Sequence, residues 1–105
     1  MNLWHLPDLL PNSEITEALI PDRGVLIERI ISAGQTTPAG IWYDQERDEW
    51  VVLLQGQARL VWENGKVMNM AAGDWVFIPA HERHRVDFTS HRPPCIWLAV
   101  QGRLV

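Results

Sequence analysis

The sequence predicts an all-β domain, an antiparallel sandwich or barrel. Short runs of β-branched and aromatic residues recur from Val25 to the end of the chain. Glycine, proline and asparagine stand between those runs, and no segment carries the sustained apolar stripe of a long helix. At 105 residues, 47% of them hydrophobic, the chain suits one compact domain that can bury a core without a disulfide or a structural metal.

Residues 1–23 form an N-terminal arm, because Pro7, Pro11 and Pro21 limit it to short structure. Asn12 or Ser13 is placed to cap a brief helix running through Leu19. Residues 24–105 form the β domain. Its first strand is expected at 25–31, rich in valine and isoleucine and closed by the Ser32-Ala33-Gly34 turn. Strands at 41–43 and 49–55 follow, separated by the charged stretch 44–48. Strands at 57–63 and 66–70 flank Asn64-Gly65, a dipeptide suited to a tight hairpin because both turn positions need positive φ. Strands at 74–78, 83–89 and 95–101 complete the series. Parity puts Glu49, Val51, Leu53 and Gln55 on one face of their strand and Trp50, Val52 and Leu54 on the other. Both faces are apolar, so both need cover. One face lines the interior and the other needs a second sheet, the N-terminal arm or a second copy of the protein, so a homodimer is expected.

Charge and composition exclude several classes. A formal net charge of -4 and a pI near 5.4 argue against a nucleic-acid partner, which needs a basic face. No apolar run reaches transmembrane length, and the first residues lack a basic secretory leader, so a cytoplasmic protein without a membrane partner is expected. Cys95 is the only cysteine, and its neighbours Pro94, Ile96 and Trp97 suggest a buried, inert thiol. His5 and His91 are expected at the surface. Six tryptophans point to core and interface packing, with Trp42 a candidate stacking surface for a ligand.

Chemistry concentrates in two segments, each strand-like and ending at a turn. Glu49 heads an apolar run of six residues that ends at Gly56. Gly73, Pro79, His81 and His84 follow in the order Gly-x5-Pro-x4-His, with His81 inside the last gap. His84 is expected to point inward in step with Val86 and Phe88. A buried carboxylate such as Glu49 needs a partner or water, since an isolated buried charge is costly.

This spacing resembles the cupin superfamily over roughly 25–100, and in particular small single-domain, RmlC-like microbial cupins. The resemblance implies a double-stranded β-helix, a jelly-roll barrel with a short irregular N-terminal arm. It also implies a metal in the barrel held by three histidines and a glutamate. Of that set only Glu49 and His84 are carried over: the His-x-His positions hold Tyr43 and Gln45, or Trp42 and Asp44 if the gap is one residue longer. His81 stands where the motif has a glycine, a position that suggests positive φ.

Two functions follow. In the first, His81, His84 and Glu49, with Gln45 or Tyr43 adding an oxygen, hold iron, manganese, zinc or nickel for work on a small molecule. In the second, the barrel is metal-free, and Tyr43, Gln45, Glu49 and His84 bind a small ligand by hydrogen bonds.

Overall fold

The computed structural model describes residues 1–10 and 12–105. Eight strands run in chain order: β1 Ile15–Ala18, β2 Val25–Ser32, β3 Asp48–Gln55, β4 Gln57–Trp62, β5 Val67–Ala71, β6 Trp75–Ile78, β7 His84–Thr89 and β8 Cys95–Gly102. A five-stranded sheet in the order β1-β2-β8-β3-β6 faces a three-stranded sheet in the order β5-β4-β7, and every pairing is antiparallel. Pro11, to which part of the arm's irregularity was assigned, lies outside the described residues.

The expected strands match with shifts of a residue or two at their ends, with two exceptions. Residues 15–18, expected as the body of a short helix, form β1 instead. Ile15 and Thr16 are β-branched, and the free edge of β2 offers ladder partners from Ile31 to Glu28. The expected strand at 41–43 is reduced to one bridge, Tyr43 to His84.

The core lies between the two sheets. Val51 and Leu53 of β3, Leu60 and Trp62 of β4, Ile78 of β6 and Trp97 and Ala99 of β8 meet there. Each fully buried aliphatic side chain, such as Leu53 or Ile78, contributes on the order of 1.5–3 kcal/mol. Cys95 is buried as expected, and its thiol donates to the Gln57 carbonyl at 3.1 Å.

Turn chemistry closes the barrel. Gly56 sits at φ 94° between β3 and β4, and a Cβ there would lie 2.8 Å from Ser90 Oγ and 2.9 Å from Cys95 Sγ. Only glycine satisfies both the backbone and the space. Gly65, in the Asn64-Gly65 hairpin, also has positive φ but faces open space.

A parity expectation fails on β7. Ladder pairs shift from Arg59–Phe88 to Leu60–Val86, so Asp87 is an extra residue on its strand. The bulge reverses the alternation beyond it. Phe88 therefore points to solvent and Thr89 is buried, while His84 and Val86 keep the expected inward aim.

Candidate functional site

The barrel encloses a cavity of about 260 Å³ lined by both sheets. The buried Glu49 and His84 reach it from opposite sheets. Glu49 stands at the head of β3, paired on one side with Ile78 of β6 and on the other with Gln101 of β8. His84 opens β7 opposite Trp62 of β4. His84 Nε2 lies 4.0 Å from Glu49 Oε1, and the two side chains are only 4% and 9% exposed. The strand ends thus bring the acid and the imidazole together, as the two segments foretold.

The hydrogen bonds of His84 fix its chemistry. Nδ1 is 2.8 Å from the Glu82 carbonyl, which can only accept, so Nδ1 carries the hydrogen. In the neutral ring Nε2 is left as a lone pair aimed across the cavity. Among the described residues nothing comes within hydrogen-bonding distance of it, Glu49 at 4.0 Å being beyond that reach. Tyr43 packs on the ring at 5.6 Å between centroids, and Trp62 approaches from another side at 6.4 Å.

Residues 43–45 border the mouth of the cavity. Tyr43 exchanges backbone bonds with His84, and the Gln45 carbonyl accepts from His81 N at 2.7 Å. Alternation along this segment aims Tyr43 and Gln45 into the cavity and leaves Trp42 and Asp44 out of its lining. Of the two pairs expected before the glutamate, Tyr43 and Gln45 are the ones that line the cavity. Trp42, expected as a ligand-stacking surface, does not line the cavity.

His81 is not brought to the pair. It sits at φ 64° in the turn, its side chain is 65% exposed, and Nδ1 meets Asp44 Oδ1 at 2.8 Å on the outer surface. Asp44 also accepts from Arg83 at 3.2 Å, and these two bonds, His81 first, hold its carboxyl below the ordinary range. The glycine-like backbone that lets histidine occupy this turn also carries its side chain away from the lumen.

The sequence reading missed four further polar residues of the cavity, Thr16 of β1 among them. Glu28 of β2 and Gln101 of β8 lie on the same inner face, and Glu14 precedes β1. Gln101 Nε2 donates to Glu49 Oε2 at 3.1 Å and to Glu28 Oε1 at 3.3 Å. Glu14 Oε2 accepts from Ser32 Oγ at 2.8 Å. Their signal lay in parity: Glu28 alternates with Ile30, and Gln101 with Trp97 and Ala99, all on apolar strands. Burial pushes the Glu49 carboxyl up to about 7, partly offset by the Gln101 bond and reinforced by Glu28 and Glu14. Glu28 is also raised, by burial first and by Glu14 second.

The donor set does not fit a tightly held divalent ion. Glu49 and His84 are the only motif ligands present in the cavity, with neutral oxygens from Gln45 and Tyr43 beside them. Among the described residues no three His, Cys, Asp or Glu side chains converge as a metal site. The amide of Gln101, a hydrogen-bond donor, sits where Glu28 and Glu49 would otherwise share a cation.

Residues 30–101 match the Cupin domain family model, and the chain belongs to the cupin family. It is similar to a Ralstonia eutropha protein provisionally assigned as a mannose-6-phosphate isomerase, with 41% identity over 98% of this chain and 96% of that chain and a TM-score of 0.92. It also resembles an RmlC-like cupin of Methanocaldococcus jannaschii with a double-stranded β-helix fold (16% identity, 89% of this chain and 83% of that chain, TM-score 0.69). A third likeness is to the polyketide cyclase RemF of Streptomyces resistomycificus (22% identity, 87% of this chain and 66% of that chain, TM-score 0.71). The last two speak for the fold alone. No curated protein matches the chain. Among the described residues no helix is long and apolar enough to cross a membrane.

Proposed function

We propose that this chain is a cupin whose lumen binds or turns over a small polar molecule without a resident metal. One observation carries the reading: Glu49 and His84 face each other across a mostly apolar lumen, with a protonatable acid on one side and a free imidazole lone pair on the other. A single ligand hydroxyl or amine entering the 4.0 Å gap meets both groups at once. Glu49, titrating near neutrality, is suited to give or take a proton there, and His84 Nε2 to accept one.

The provisional name of the Ralstonia relative suggests a sugar phosphate, but the lumen of this chain favours another ligand. Its lining holds Glu14, Glu28 and Glu49 and, among the described residues, no lysine or arginine to receive a phosphate. A homodimer belongs to the same proposal. Trp75 is 57% exposed on the outer face of the large sheet, and beside it Trp50, Phe77, Val100 and Leu104 line an apolar groove that a second copy would cover.

Metal analysis of protein purified without a histidine tag tests the central point. We expect less than about a tenth of an equivalent of iron, manganese, zinc or nickel, and a melting temperature indifferent to added metal salts. Stoichiometric metal that disappears in both His84→Ala and Glu49→Ala would overturn the reading.

A further inference from the structure

We infer that the ligand of this lumen is a small organic cation, a primary ammonium or a guanidinium compound; this rests on the metal-free pocket proposed above and narrows it. Three carboxylates mark a path from the mouth inward: Glu14 is exposed, Glu28 half-buried and Glu49 buried. Each keeps one oxygen without a hydrogen bond from the described residues, because Ser32 takes one oxygen of Glu14 and Gln101 takes one each of Glu28 and Glu49. Arg29, the one arginine on β2, turns the other way and pairs with Glu17 and the carbonyls of Leu3 and His5.

His84 supplies an independent indication of a ligand. It is more than nine-tenths buried, its Nε2 lone pair looks into the same cavity, and none of the described residues satisfies it. Beside the donors of Tyr43, Gln45 and Gln101, the lining holds three carboxylates and the His84 lone pair and, among the described residues, no positive charge to balance them. An ammonium group brings three donors, no acceptor and a full charge. The carboxylates are spread around the cavity and two of them are bridged by an amide, so they suit a polyatomic cation with several N–H groups better than a bare ion. The acidic mouth would also steer such a ligand inward.

Isothermal titration of the full chain at about pH 8 with matched pairs tests this: ethanolamine against ethylene glycol, putrescine against 1,4-butanediol, and cyclohexylamine against cyclohexanol, each amine being charged there. At least one amine should bind about tenfold or more tightly than its hydroxyl partner. That advantage should fall by about tenfold in Glu28→Gln and also in Glu14→Gln, whose exposed site leaves the fold intact. A hydroxyl compound binding as tightly as its amine, unchanged in both variants, would sink the cation assignment and leave the ligand pocket standing. Failure of every compound at millimolar concentration would sink it too. Tight, stoichiometric binding of manganese chloride that Glu49→Gln abolishes would remove both the cation assignment and the metal-free reading beneath it.

Discussion

At the scale of single residues, Glu49 carries most of the consequences. Its carboxyl is raised from an ordinary value near 4.5 to about 7, so the folded protein holds a proton there that the unfolded chain has already released. Folding is thus favoured below about 4.5, and this advantage is lost as pH rises through about 7. The penalty for holding the ionised acid in the lumen at pH 8 is roughly 3 kcal/mol. Glu49→Gln should therefore stabilise the protein at pH 8, by about 1–3 kcal/mol, and flatten the decline in stability between those two pH values. Urea unfolding of both proteins across that range measures it; a variant less stable than the parent at pH 8 would contradict the burial argument. The sequence placed Glu49 and His84 in the lumen because motif spacing and strand parity both pointed there. It left His81 open, and positive φ decided the matter by turning that side chain outward.

At the scale of elements, the strands were legible because β-branched runs and turn residues alternate along the chain. Two failures have physical causes. Residues 15–18 take strand geometry because β2 offers an edge, a tertiary partner that outweighs a local capping signal. Phe88 faces solvent because the bulge at Asp87 resets parity, and nothing in a simple alternation marks a bulge in advance. The two tight glycine turns give a paired prediction. Gly56→Ala must push into Ser90 and the Cys95 backbone at positive φ and should cost about 3 kcal/mol or more. Gly65→Ala meets no neighbour and should cost only about 1 kcal/mol. Denaturant midpoints of the two variants compare these directly, and equal losses would show that the Gly56 contacts are not tight.

At the scale of the whole molecule, the acidic lining was the part hardest to read. Glu14, Glu28 and Gln101 lie far from both motif segments in sequence and converge only through the sheet: β1 pairing brings Glu14 to Ser32 of β2, and the β2–β8–β3 register sets Gln101 directly opposite Glu49 and diagonal to Glu28. Alternation sets Glu28 and Gln101 inward on apolar strands, but only the sheet order makes them neighbours. The large sheet's outer face has the opposite character, with Trp75 exposed near Trp50 at 6.1 Å between rings. Light scattering at micromolar concentration should give twice the mass of one chain, and Trp75→Glu should shift the protein toward monomer; a monomeric parent would contradict the interface.

Carboxyl-carbon NMR titration of Glu49 reaches the centre of the account most directly. Its resonance should titrate with a midpoint near 7, well above the ordinary glutamate value. A midpoint near 4.5 would mean a carboxylate bathed in water, and no buried acid facing His84 across the lumen.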